Sequence, residues 1–455
     1  MYSIPGDFDQ YLRDVGAYHT FYNLMGMSLG AIMTRAFGTR MELYFVFEIG
    51  AILLTNIALF FMVRTILKNS FAAFLSIVIF ASNFFSLSDI YHPSRYGGVF
   101  LERFPLNFPF MLVSFLLLHA YLEKNQIRLY IYSAVLYFFA VFIAHYSIYF
   151  AFPFFLYPVF FRFFKKVQWR ASLRGMLVAL PYILIAIFFI LNHDKGLLPV
   201  PKRDLFEFRI TPQISRYPES MLRQLVYISQ IPAVLKALLT GSRPLALSSS
   251  KDMTPFITPI LIAYIVSFVY VYIKAKQYRA LLFAIFFATA AMLFANTFIA
   301  TRLNPLVDAS SSRYYYIPSV LISVFWAMVL TTFFTKKYSI TLTIAAVFFV
   351  VNAIIFNNHF KEVLRRTNKT KTIISYITNN LPSFAKDSLI VVGPSAVFGP
   401  YEAGFYTYHL GRERNIMIKT QNVDYSDWRP IASTSAHLTT INYDENCSCK
   451  HIFFK

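Results

Sequence analysis

Three polar stretches of this 455-residue chain gather side chains suited to acid–base or phosphate chemistry, and each adjoins a long apolar run. The first, residues 1–40, carries Asp7, Asp9 and Asp14. Tyr11, Leu12, Val15, Tyr18, His19 and Tyr22 follow at helical spacing. That spacing predicts a helix with one aromatic face, lying in a membrane interface. Asp7 and Asp9 stand at its start, where carboxylates favour a helix N-terminus. In the second, His92-Pro93 and Gly97-Gly98 shape a turn, and Glu102-Arg103 precede the next apolar run directly. Charges at that depth must be paired, face a wet cavity or snorkel to headgroups. The third places Arg302 and Arg313 around a loop ending Tyr314-Tyr315-Tyr316. Two arginines of this kind suit a phosphate, which they hold through charge-assisted bidentate hydrogen bonds. The tyrosines read most simply as an aromatic belt. His145 stands alone between two apolar runs, where a histidine is more often a packed polar residue than a catalyst. Glu48, inside the first run, is expected to face protein or water rather than lipid.

The elements that would position these residues are membrane spans. The chain is 57% hydrophobic and only 14% charged, with a mean hydropathy of +0.52, and its apolar residues come in runs near the length needed to cross a bilayer. The expected spans are Leu43–Ile66, Phe71–Ser88, Phe108–Leu122, Leu129–Ala144, Ile148–Phe161, Leu177–Leu191, Pro255–Ile273, Ala280–Ile299, Ile317–Phe334 and Ile340–Phe356. Residues 129–161 are too long for one span and tight for two. Basic flanks on both sides, Lys124 and Arg128 before and Arg162, Lys165, Lys166 and Arg170 after, predict two spans turning near His145.

With that hairpin, alternate connections collect fourteen basic residues, from Arg64 and Lys68 to Lys336 and Lys337, against one acid, Glu123. The positive-inside rule makes these connections cytoplasmic and puts both chain ends outside. Residues 1–40 lack a signal-peptide pattern, so a further span upstream of Met1 is expected. The net charge of +20 is explained by these flanks, and no nucleic-acid partner is expected.

The fold class expected is therefore an all-α polytopic membrane bundle with a small C-terminal α/β domain outside the membrane. Residues 1–42 form the outer juxtamembrane segment, 43–356 the transmembrane domain and 357–455 the tail. Within the large outer loop 193–254, Leu222 to Leu239 show a helical apolar pattern that predicts a second interfacial helix. In the tail, 362–380 and 401–410 read as helices and 388–392 and 416–419 as strands. Residues 439–443 and 451–454 read as a hairpin around Asp444-Glu445-Asn446. Cys447 and Cys449 are too few for a disulfide framework.

Several of these residues resemble the GT-C superfamily of glycosyltransferases that use lipid-carried sugars. The resemblance covers roughly residues 18–318. Tyr18-His19 leading to Phe37-Gly38 is similar to its first outer loop. His92-Pro93 through Val99 to Arg103 resembles an HP…V…R motif of the protein O-mannosyltransferase-like branch. Arg313-Tyr314-Tyr315-Tyr316-Ile317-Pro318-Ser319 resembles its R-Y-x-Y-x-P-S stretch. The resemblance implies transfer of a sugar from a polyprenyl-phosphate donor to a glycan or protein acceptor on the outer face of a prokaryotic plasma membrane. It further implies Asp7 or Asp9 as catalytic base. Arg103, Arg302, Arg313 and Tyr314 would hold the donor phosphate, with His92, Glu102 and His145 on the acceptor side. A divalent metal is compatible with this chemistry, although no ligand cluster demands one. The chain departs from the family in lacking the span before the acidic loop and in carrying His145-Tyr146 where the branch has a Lys-Glu pair. Two other classes fit a polytopic chain: a transporter of lipid-linked glycans, for which paired repeats are missing, and a non-catalytic scaffold.

Overall fold

The computed structural model of the protein describes residues 41–87, 106–143, 145–166, 169–191, 217–229, 250–300, 316–335, 337–386, 388–392, 416–420, 437–443 and 449–454, together with 32, 36 and 37. Most of these residues are helical. The helices are α1 (Met41–Leu67), α2 (Ser70–Leu87), α3 (Asn107–Lys124), α4 (Ile127–Ile143), α5 (Ala151–Lys166), α6 (Trp169–Leu191), α7 (Tyr217–Ser229), α8 (Ser250–Lys274), α9 (Arg279–Ala300), α10 (Tyr316–Phe333) and α11 (Tyr338–Asn380). A 3₁₀ turn, His145–Phe150, leads from α4 into α5. Among the described residues, each expected span lies in a helix to within a residue at its end or, for 148–161, in this turn and α5; Phe334 falls in the turn after α10, and Ser88 and Ala144 lie outside the described residues.

These helices are apolar on more than one side. Along α1, Leu59, Met62 and Val63 are buried while Val46, Ile49, Leu53, Ile57 and Phe61 are exposed. A water-soluble helix would place polar side chains on that second face. Exposed apolar stripes of this kind recur on α6 and α8, far beyond the patch a soluble monomer tolerates. Five helical stretches are long and apolar enough to cross a membrane: 49–67, 147–165, 172–191, 256–274 and 276–295. Four shorter apolar ones lie in α2, α4, α10 and α11. The remaining expected span, α3, carries Asn107, His119 and Glu123.

Tight turns fix how the helices pair. Between α1 and α2 only Lys68 and Asn69 intervene. Lys68 takes a left-handed φ of 52°, and Asn69 Oδ1 accepts hydrogen bonds from the Phe71 and Ala72 amides at 2.9 and 3.0 Å. Between α3 and α4, Asn125 adopts φ 56° and its amide donates to Tyr121 O at 2.7 Å. These turns meet at one end of the bundle. Lys68 Nζ lies 3.7 Å from Glu123 Oε1, Tyr278 OH donates to Leu67 O at 3.3 Å, and Tyr338 packs edge-on against Phe71 at 4.7 Å. Because these turns share one end, the other ends of the helices point the opposite way.

Side-chain packing within the bundle uses small and polar groups as well as aromatics. α3 and α4 are locked by reciprocal bonds of 2.6 Å, Ser114 Oγ to Ser133 O and Ser133 Oγ to Ser114 O. Tyr182 OH from α6 donates to Ser133 Oγ at 2.7 Å. Such bonds substitute for the hydrophobic drive that lipid removes. α5 and α6 touch backbone to backbone at Gly175, where a Cβ would lie 2.6 Å from Pro158 O.

The last helix, α11, runs 43 residues without a break, a length of about 64 Å. Its first half packs mainly against α2, where Ala345 clusters with Leu75, and Thr341 and Asn352 are buried as well. It then continues past the expected boundary at 356–357, and Ile373 and Ile377 pack with Phe384, Ile390, Val392, Ile416 and Ile418. The strands there are β1 (Ser388–Val392), β2 (Met417–Thr420), β3 (His437–Tyr443) and β4 (Cys449–Phe454), in sheet order β2-β1-β3-β4. β1 pairs parallel with β2 and β3, and β3 pairs antiparallel with β4 in the predicted hairpin. The expected helix at 401–410 lies outside the described residues.

Candidate functional site

Asp7, Asp9, His92, Glu102, Arg103, Arg302, Arg313 and Tyr314 lie outside the described residues. What the structure does describe is the elements into which their segments run. Residues 1–40 lead into the start of α1, 88–105 join the end of α2 to the start of α3, and 301–315 join the end of α9 to the start of α10. All of these termini are remote from the Lys68–Asn69 turn along their helices, so the three segments enter the bundle at the same end.

At that end two of the entry points are tied together. Asn107, the first residue of α3 and almost wholly buried, donates Nδ2 to Ser147 Oγ at 2.7 Å. Ser147 in turn donates to Ala140 O at 2.9 Å. The tie links the segment that carries Glu102 and Arg103 to the 3₁₀ turn that begins with His145. Arg103 precedes Asn107 by four residues, a reach of at most about 14 Å of extended chain. His145 precedes Ser147 by two. α7 belongs to the bundle as well. It packs against α8 and α9, Val226 and Ile228 are buried, and Gln224 Nε2 donates to Leu293 O at 3.4 Å. Of the interfacial helix expected over 222–239, the structure describes the part up to Ser229, which packs on the bundle, and residues 230–249 lie outside the described range.

The opposite end holds a polar cluster that sequence reasoning missed. His119 is buried in α3, its Nδ1 2.7 Å from Tyr157 OH of α5 and its Nε2 3.7 Å from Glu123, which also faces Lys68. The signal was present: His119 and Glu123 stand four apart, hence on one helix face. A pocket among α1, α3, α5, α9 and α10 is lined only by apolar side chains, including Met62, Phe115, Phe150, Leu281 and Val320. It offers no group for acid–base work. Among the described residues no three His, Cys, Asp or Glu side chains converge as metal ligands. No family model, curated protein or solved structure matches the chain.

Proposed function

We propose that the chain is a membrane glycosyltransferase of the GT-C kind, moving a sugar from a polyprenyl-phosphate carrier to a glycan or protein acceptor. The observation that carries this reading is the division between the two ends of the bundle. Tight, basic turns occupy one end, and the segments bearing Asp7, Asp9, Arg103, Arg302 and Arg313 all enter at the other. By the positive-inside rule the basic end is cytoplasmic, so the chemistry and the C-terminal sheet face outward from a prokaryotic plasma membrane. About ten crossings then make up the bundle, half of them within helices shorter or more polar than a simple span.

In this reading Asp7 or Asp9 accepts the proton of an acceptor hydroxyl as its oxygen attacks the anomeric carbon of the donor sugar. The bond from that carbon to the carrier phosphate breaks on the opposite face, and the configuration inverts. Arg103, Arg302 and Arg313 stabilise the charge left on the departing lipid phosphate, in a site where water is scarce. Tyr314 lies beside Arg313 on the donor side, and His92, Glu102 and His145 orient the acceptor.

The test is sugar transfer in membranes carrying the protein. Asp7→Asn and Asp9→Asn, singly and together, are expected to lower transfer by about 10²–10⁴-fold at the residue that acts as base, with membrane insertion unchanged. Arg302→Ala and Arg313→Ala are expected to weaken use of the lipid donor. Normal transfer by the double Asp variant removes the base assignment, and unchanged donor affinity in both arginine variants removes the phosphate assignment.

A further inference from the structure

Past its apolar half, α11 carries a run of cations. Between residues 357 and 372 stand Lys361, Arg365, Arg366, Lys369 and Lys371, against one acid, Glu362. In the orientation proposed above, this stretch leaves the bundle at the outer end, whereas the positive-inside rule accounts for cations at the other. Like charges one turn apart also weaken a helix, so Lys361, Arg365 and Lys369 need another reason to share a face. The helix runs unbroken through the stretch, and its period fixes the side on which each residue stands. Thr341, Ala345 and Asn352 mark the packed side. On the opposite side Val347 and Ile354 are 58% and 53% exposed. Lys361 comes about two turns above Ile354, and Arg365 about five turns above Val347. Lys371 comes about five turns above Ala353, which is also exposed. Of the five cations, Arg366 stands nearest the packed side.

The C-terminal sheet packs on another side of α11. It meets Ile373 and Ile377, and Ile377 comes about ten turns above buried Thr341. Asn379, about five turns above Lys361, is exposed. Height then separates the cations. A rise of about 1.5 Å per residue from Phe356, where the apolar run ends, puts Lys361 about 7 Å and Arg365 about 13 Å up, and Lys369 and Lys371 about 20 Å or more. A headgroup layer is roughly 5–7 Å thick, and in salt its field reaches about 10 Å beyond. The lower two cations stand within that reach and the upper two outside it. We propose that Lys361 and Arg365 bind the headgroups of anionic phospholipids in the leaflet through which α11 leaves the membrane. The cationic side continues the exposed apolar one, so a lipid with its acyl chain along Ile354 has its phosphate at the height of Lys361. Phosphates there offset the mutual repulsion of the two cations. The assignment rests on α11 as a membrane helix and not on the glycosyltransferase reading.

The experiment uses the full chain carrying Phe360→Trp, reconstituted in vesicles of mixed phosphatidylglycerol and phosphatidylcholine. One lipid or the other bears brominated acyl chains, and the quenching gained over the parent chain reports which lipid lies beside the helix. Phosphatidylglycerol is expected to be preferred there. Lys361→Gln and Arg365→Gln should each lower that preference about fivefold, and the pair about twenty-fivefold. Lys369→Gln and Lys371→Gln should change it by less than about twofold. Glutamine suits a helix about as well as lysine or arginine, and the thermal unfolding midpoint verifies that each variant is folded. Equal quenching by the two lipids overturns the site, as does an unchanged preference in the Lys361→Gln, Arg365→Gln pair. Equal losses in all four single variants, with soluble dextran sulfate displacing phosphatidylglycerol, would assign the face to an extended polyanion and overturn the lipid site as well.

Discussion

The contact at Gly175 gives a perturbation whose size follows from the geometry. A methyl group there would lie 2.6 Å from Pro158 O, 2.7 Å from Val159 Cα and 2.8 Å from Pro158 C. Ordinary contact begins at 3.4 Å, so α5 and α6 are 0.8 Å too close for alanine. All three opposing atoms are backbone, and α5 cannot answer by turning a side chain aside. Two effects compete in Gly175→Ala. Helix propensity favours alanine by about 1 kcal/mol, while overpacking of this kind costs about 1–3 kcal/mol. The clash is expected to win, leaving a net loss of up to about 2 kcal/mol, and Gly175→Leu should lose more. Gly50→Ala supplies the control, because nothing lies within 4 Å of a Cβ at Gly50 and only the propensity gain remains. The assay is thermal unfolding of the purified protein in one detergent, with all variants side by side. If Gly175→Ala gains as much stability as Gly50→Ala, the helices are not in backbone contact and the reasoning fails.

Two other changes probe the polar and turn contacts. Ser133→Ala leaves the buried Tyr182 hydroxyl without its 2.7 Å acceptor and is expected to destabilise by about 1–2 kcal/mol. Adding Tyr182→Phe should restore part of that, and the same unfolding assay reads whether it does. At the first turn, Asn69→Ala removes the acceptor of two amides and should cost about 1 kcal/mol. Lys68→Val should cost about 1–2 kcal/mol through its left-handed φ, while Lys68→Gly is tolerated. The exposed Lys68–Glu123 pair contributes little to that comparison. Unchanged unfolding in Lys68→Val would contradict the left-handed turn.

Where the helices lie was legible in the sequence, because apolar runs and basic flanks are statements about composition along the chain. The residues between 129 and 161 are an example. Their flanking charges alone separate α4 from α5, and the break falls at His145 as expected. How the helices face one another was not legible. In water a helix declares its buried side by contrast with a polar one, whereas α1 is apolar on both its packed and its exposed sides. The Ser114–Ser133 lock and the Gly175 contact depend on that facing, and neither residue type is diagnostic alone. α11 shows a different limit. Its sequence changes from apolar to polar near residue 357, which suggests a boundary, but residues such as Glu362, Lys371 and Thr372 continue a helix as well as apolar ones do. Of the candidate site, His145 alone falls within the described residues, at the head of its 3₁₀ turn. The Asn107–Ser147 tie beside it joins residues 40 apart, and nothing local in either stretch announces such a pairing.

The two ends of the bundle have different mechanical consequences. At the basic end, turns of two residues hold α1 against α2 and α3 against α4, and Glu123, Lys68, Tyr278 and Tyr338 join neighbouring turns to one another. An end fastened in this way holds its helix ends at fixed separations. At the other end the connections are long, from 88–105 to 301–315, and a loop of that length costs little more to close than a short one. Long loops there are affordable only if their roots are fixed, since loop residues acting on one substrate must return to the same place each time. The Asn107–Ser147–Ala140 chain of hydrogen bonds fixes two such roots in the apolar bundle, where a broken bond would leave a buried amide unpaired. Loss of Asn107 should therefore disturb whatever Arg103 and His145 do before it disturbs the fold as a whole.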